Sequence, residues 1–344
     1  MHPIRRFTRF ILILFLTAFV VLAHRSAHAA SVTWTILAGS QTHYGIDILA
    51  FGPQTLRVHR GDTVTWKITG FHNIRFDVKA ADYTVNSQVD GNAVTELNPV
   101  IAFPNAKTGD LFKPGLSTGI LRTSAEFSVL MDVPLGTYTY VCDIHPGMIA
   151  IIEVVDDQVD LPSPESIKSQ SEDELKAAID VANLAIIDRL QTSKNTTVEG
   201  PLQVSVGAIE GLASINRNYP QSGQIIVGQS VVWTVPQGFE QHTVNFPIPI
   251  GGYTSSQKAV KDASGKPHQV FTDVVAANVQ SGADFPESGD ARSGLIFPGQ
   301  SFSMRFTKPG VYTYFCALHP DQIGTIRVNL PPTPAPTAQA TESK

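Results

Sequence analysis

The chain has 344 residues, 42% of them hydrophobic, which is enough for two domains with real cores; 30 acidic side chains stand against 25 basic ones, a net charge of −5. Residues 1–29 hold four Arg and no acid, so a chain without them carries 21 basic against 30 acidic residues, a net charge of −9. That surplus argues against a nucleic acid or an anionic membrane as partner and is compatible with a basic docking partner.

The first segment in the chain sets its destination. Arg5, Arg6 and Arg9 precede an apolar run from Phe10 to Ala23, and Ala27-His28-Ala29 follows as an A-x-A cleavage pattern. The run is shorter than the roughly 18–20 residues a spanning helix needs. The expectation is a signal peptide over 1–29, removed on export, and a mature chain in the periplasm or outside the cell with no membrane span. A retained anchor is the alternative, and the Arg5-Arg6 pair leaves the Sec and twin-arginine routes open.

Alternating segments at 32–36, 64–68, 127–131 and 138–140 predict strands. Within them Gly61-Asp-Thr-Val-Thr-Trp66 leads to His72. A long, turn-rich insertion at roughly 78–118 follows, and then Cys142-Asp-Ile-His145-Pro-Gly-Met148. Next, Pro162-Ser-Pro164 breaks the chain and Ser171-Glu-Asp-Glu174 reads as a capping box. Leu175, Ile179, Ala182, Ile186 and Leu190 have helical spacing, which predicts an amphipathic helix over 172–191 whose apolar stripe is a packing face.

The pattern then returns. Gly228-Gln-Ser-Val-Val-Trp233 leads to His242, a second insertion spans roughly 247–293, and Cys316-Ala-Leu-His319-Pro-Asp-Gln322 closes the half. Segments at 231–235, 302–306 and 312–314 predict the matching strands. Offsets of 167, 170 and 174 residues separate Gly61 from Gly228, His72 from His242 and Cys142 from Cys316, so one module occurs twice with small loop changes. Period-two segments punctuated by Gly and Pro indicate all-β sandwiches. The expected domains are 30–158 and 200–330, with a linker at 159–199 and a disordered Pro/Thr/Ala tail at 331–344. Each insertion exceeds the length usual for a loop without order or function, and is expected to fold over one end of its sandwich, shielding a site or forming a docking surface.

Each half therefore offers two His, one Cys and a further donor, Met148 or Gln322. Thiolate, imidazole and a weak axial thioether or amide oxygen form the donor set that suits copper in a trigonal site with a long axial contact. Zinc can use the same donors. The chain has two cysteines, and in an exported protein a disulfide is the plain alternative. Against it, Cys142 and Cys316 hold equivalent positions in two separate modules. His43, His59 and His268 have no matched equivalent and are read as surface residues.

Both halves resemble cupredoxin (type 1, blue copper) domains of the plastocyanin and amicyanin kind. The resemblance rests on the G-x-x-V-x-W strand, the first His after it and the C-x-x-H-P-x-M loop, and covers roughly residues 31–155 and 200–329. It implies two tandem Greek-key cupredoxin β-sandwiches joined by the helical linker. It implies His72, Cys142, His145 and Met148 as one copper ligand set, and His242, Cys316 and His319 as the other. Gln322 stands where the first copy has Met148, and its amide oxygen can serve as the weak axial ligand.

The role that follows is electron transfer between redox protein partners, with the softer Met148 giving the first site the higher potential. Electrons are expected to leave by the exposed edge of His145, framed by Pro146, Gly147 and Met148. Copper storage or delivery is the alternative, as is scaffolding with a degenerate second site. Two-domain nitrite reductases and small laccase-like oxidases also resemble this chain in domain count, but they need further copper ligands. Val141 and Phe315 stand beside the cysteines where such enzymes place His, Asp77 and Pro247 stand five residues after the first His, and no H-x-H pair follows residue 29. A non-enzymatic chain is therefore expected.

Overall fold

In a computed structural model, residues 31–42, 45–193, 200–250, 255–319 and 321–332 are described. The expected signal at 1–29 and most of the expected tail lie outside them, as does His43. Strand formation follows the alternation. In Thr33–Thr42 the alternate residues Trp34, Ile36 and Ala38 face inward, and Thr63–Ile68 buries Val64, Trp66 and Ile68. These strands pair in parallel, and Glu126–Leu130 adds antiparallel to the second. Against them packs a three-stranded sheet of Gly136–Val141, Ile149–Val155 and Thr55–His59. Trp66, Phe76, Phe127 and Tyr140 fill the space between, Trp66 and Tyr140 meeting edge-on at 5.4 Å. The second half repeats this with Leu202–Glu210, Ser230–Thr234 and Ser301–Arg305 facing a sheet that includes Ile323–Asn329 and Gly310–Phe315. Trp233 and Tyr314 again meet edge-on at 5.4 Å.

The halves are not beads on a string. Strand Ile46–Gly52 of the first pairs antiparallel with Ala213–Tyr219 of the second, in the register Ala213 to Ile48 and Ile215 to Ile46. This seam makes the two inner sheets one nine-stranded sheet. The helix Pro164–Thr192 lies on the seam. Its Leu175, Ala182 and Ile186 pack with Ile46, Ile48, Ala50, Ala208, Ala213 and Ile215.

That helix starts eight residues before the expected position. Pro164 occupies the first turn, where its missing N–H costs nothing, and the Ser163 side chain accepts from Ser166 N. Ser171 is therefore no cap. It is buried mid-helix, with its hydroxyl donating to the Ile167 carbonyl at 2.9 Å. Leu190, placed in the apolar stripe by spacing, is exposed, as are Val181, Leu184 and Ile187.

The insertions reach across to each other. Each contributes a hairpin, Thr84–Val89 with Asn92–Leu97 and Gln257–Lys261 with Pro267–Phe271, and the two join into one four-stranded sheet through Val270 and Glu96. The first turns at Asp90-Gly91, both with positive φ, as a two-residue hairpin loop requires. His268, read as a surface residue, is 2% exposed here. Its Nδ1 lies 2.9 Å from Glu96 Oε2 and its Nε2 3.5 Å from Asp262 Oδ2, so a hydrogen-bonded imidazole and carboxylate are buried where the insertions meet. His59 is half-buried, with Nε2 2.9 Å from the Val159 carbonyl. No helix among the described residues is long and apolar enough to cross a membrane.

Candidate metal centre

Each cluster draws its donors from one end of a sandwich. His72 sits on the short strand Phe71–His72, Cys142 directly follows Gly136–Val141, and His145 and Met148 lie on the tight loop before Ile149–Val155. Cys142 Sγ is 3.7 Å from His72 Nδ1 and 3.5 Å from His145 Nδ1, and the two Nδ1 atoms are 3.1 Å apart. The second cluster has the same three distances: 3.7 Å and 3.5 Å from Cys316 Sγ to His242 Nδ1 and His319 Nδ1, and 3.1 Å between the rings' Nδ1 atoms. A trigonal ion about 2.0–2.3 Å from each donor holds them roughly 3.5–4.0 Å apart, so the sulfur-to-nitrogen distances of both clusters fit one ion and only the two rings must move slightly apart. Cys142 and Cys316 are both unpaired thiols, which removes the disulfide alternative.

The donors are held from behind. His72 Nε2 lies 3.0 Å from the Thr69 carbonyl, and as a donor there it leaves Nδ1 free to bind. Gly39, at φ +80° on a bulge, makes room for that ring: a Cβ there would stand 2.3 Å from His72 Nε2. Gly207, at φ +87° on the matching bulge, does the same for His242 at 3.0 Å. Beside the first cluster, Asn73 Nδ2 donates to Asp143 Oδ2 and Asp143 N to Asn73 Oδ1, both at 2.7 Å, and Arg75 grips Asp143 with Nε and Nη2. This ties the residue after His72 to the residue after Cys142. Thr243 does the equivalent work in the second cluster, where its hydroxyl accepts from Ala317 N at 2.8 Å and its N–H approaches Cys316 Sγ at 3.4 Å.

Met148 and Gln322 occupy the same place. Each is 1% exposed, and each carbonyl accepts from its cysteine's N–H, at 2.9 Å and 3.1 Å. Gln322 Nε2 reaches Asn218 Oδ1 at 3.5 Å, while Oε1 is buried without a hydrogen-bond partner. A buried orphan acceptor on the expected axial residue fits a cation beside it.

Burial and neighbours prepare the donors electrically. Burial, with the His145 ring adding to it, pushes the His72 imidazole down to about 3, and burial takes His145 down to about 4 despite the Glu240 charge. Both rings are therefore neutral at pH 7, while burial pushes the Cys142 thiol up to about 12. In the second cluster burial acts the same way but loses. Glu240, closer to His319, and the Cys316 sulfur raise the His319 imidazole, and the two imidazoles hold the Cys316 thiol below its usual range.

The expected electron exit is corrected by this geometry. His145 is 7% exposed, and its Nε2 faces the Glu240 carboxylate of the second half rather than solvent. Pro146 and Gly147 stay exposed, but a Cβ on Gly147 would meet the Phe239 ring at 3.2 Å. Between the halves lies a partly open pocket of about 310 Å³, lined among others by Asp47, His72, Tyr83, His145, Glu240 and His319. Sequence reasoning missed Glu240. The available signal was a departure from the repeat, since Glu240 stands two residues before His242 where Gly70 stands before His72.

A sequence model of copper binding proteins of the plastocyanin/azurin family matches residues 39–155 and 229–329. Among solved structures, a purple cupredoxin from Nitrosopumilus maritimus is similar at 21% identity and TM-score 0.20, over 37% of this chain and 99% of that one. Amicyanin from Paracoccus versutus is similar at 18% identity and TM-score 0.22, over 39% and 85%. The Cu(I) form of an amicyanin mutant matches at 16% identity and TM-score 0.22, over 39% and 86%.

Proposed function

Because this chain belongs to the plastocyanin/azurin family of copper binding proteins, we propose that it is an exported, non-enzymatic protein with one type 1 copper centre in each cupredoxin sandwich, carrying electrons between redox protein partners. His72, Cys142, His145 and Met148 would hold one ion, and His242, Cys316, His319 and Gln322 the other. Bound copper would supply one-electron chemistry by alternating between Cu(II) and Cu(I). The chain's own residues do the rest. Strand ends and the two clamps at Asn73 and Thr243 fix the donors before an ion arrives, so a change in its charge moves little. Burial of both cysteines keeps water and oxidants from the sulfur. Acidic surplus on the surface suits a basic partner.

The observation that carries this reading is the identity of the two clusters: the same three donor atoms at the same three distances on equivalent loops. The test is a Cu(II) titration of the chain, following the thiolate-to-copper charge-transfer band in the visible. An intense band saturating at two equivalents, with reversible reduction, is the expected result. Saturation at one would reduce the second half to a scaffold. No band would overturn the reading, and copper lost readily to a chelator without reversible reduction would favour storage or delivery.

A further inference from the structure

His145 and His319 belong to different clusters, yet both turn their Nε2 edges to one oxygen. Glu240 Oε1 lies 3.6 Å from His145 Nε2 and 3.2 Å from His319 Nε2. The carboxylate is 6% exposed, and its other oxygen has no hydrogen-bond partner. Burying a lone carboxylate costs several kcal/mol unless partners compensate. Here the compensation comes from two imidazoles, one from each half. The repeat does not explain this acid, because the first half has Gly70 at the matching position. Glu240 makes sense as a residue for the pair of clusters rather than for either one.

An imidazole bound through Nδ1 keeps its proton on Nε2. His319, so bound, donates its N–H to the carboxylate oxygen at 3.2 Å, and His145 turns its own toward the same oxygen across 3.6 Å. We propose, resting on the copper reading above, that Glu240 is a positioning residue shared by both centres: it fixes the tautomer and orientation of His145 and His319, and it joins the centres through two imidazoles that face one carboxylate oxygen. One electron passes along this path inside the molecule, from the reduced centre to the oxidised one. The donor centre loses that electron, the acceptor centre gains it, and both Nε2 protons stay in place. External redox proteins supply and remove the electron. The carboxylate also biases both centres the same way, since a negative charge between them favours the more positive, oxidised state of each.

The test uses the full chain loaded with copper, with C142S and C316S variants to assign each centre. Glu240→Gln keeps an acceptor oxygen and removes the charge, and it is expected to raise both potentials in a potentiometric titration. Glu240→Leu removes the acceptor as well. After one-electron pulse reduction it is expected to slow redistribution of the electron between the centres. A third readout needs no copper. In the Zn(II)-loaded chain, ¹⁵N NMR should show slowly exchanging Nε2 protons on both His145 and His319, lost in E240L. A movement of only one potential or of neither in E240Q, redistribution in E240L as fast as in the parent chain, or Nδ1-protonated rings in the zinc form would each overturn the proposal. Absence of the visible band in the parent chain would instead overturn the copper reading, which separates the two failures.

Discussion

Met148 and Gln322 differ in softness at equivalent places, and a soft thioether favours Cu(I) more than an amide oxygen does. Gln322→Met should therefore raise the potential of the second centre toward that of the first, read by titrating C142S and C142S/Q322M side by side. A fall would refute the axial role of Gln322. Gly39 is the second test at this scale. Ala there forces a left-handed backbone on a Cβ, at roughly 1–2 kcal/mol, and drives that Cβ to 2.3 Å from His72 Nε2 and 2.4 Å from the Thr69 carbonyl. Gly39→Ala should lower the melting temperature and cut the copper titration from two equivalents to one. The groups His72–Cys142–His145 and His242–Cys316–His319 were legible in sequence because each Cys-x-x-His lies on one loop and each first His follows a matched Trp strand. Gly39, Gly207 and Glu240 were not, because their roles depend on a bulge and on a neighbour that only tertiary structure brings close.

At the scale of elements, period-two strands were readable because half-buried alternation is a local property, as in Glu126–Leu130. Helix Pro164–Thr192 was readable in kind but not in extent: a Pro that breaks a helix interior is favourable in its first turn. Asp90-Gly91 marks its hairpin locally, but the pairing of Val270 with Glu96 spans the two halves and leaves no local trace. The Glu96–His268 pair anchors that joint sheet. Removing one partner of a buried hydrogen bond leaves the other unsatisfied at about 1–3 kcal/mol, whereas replacing both with apolar residues is often close to neutral. Glu96→Leu is thus expected to lose about that much in denaturant unfolding, and E96L/H268L to recover most of it. If the double variant were as unstable as the single ones together, the stabilisation would lie in the hairpins' packing instead.

For the whole molecule, the seam between Ile46–Gly52 and Ala213–Tyr219 is where charge meets burial. Asp47 sits on it, accepting from Asn216 Nδ2 at 2.8 Å, and burial, with the Glu240 charge adding, raises its carboxyl to about 6. An acid raised on folding binds a proton that the unfolded chain releases between its ordinary value and about 6. Its contribution to stability is therefore full below the ordinary carboxyl range and lost as pH rises through about 6. Asp47→Asn should be more stable than the parent by roughly 1–3 kcal/mol at pH 7–8 and should converge with it near pH 4. Urea unfolding at the two pH values measures this, and an equal difference at both would show a loss of packing rather than titration. Ion uptake makes a second whole-molecule prediction. The first cluster begins as a thiol with two neutral rings, so it releases one proton per ion at neutral pH, measurable by calorimetry of the C316S variant in buffers of different ionisation enthalpy.

The seam also sets a schedule. Strand Ile46–Gly52 is made early, but the strand that covers its edge begins about 160 residues later, at Ala213. At ribosomal speed that interval lasts roughly ten to thirty seconds. During it the nascent first half carries an open β edge flanked by Ile46 and Ile48, the kind of surface that recruits a second chain. A holding chaperone, or an export route that keeps the polypeptide extended until Tyr219 has been made, would protect the newborn chain through that window.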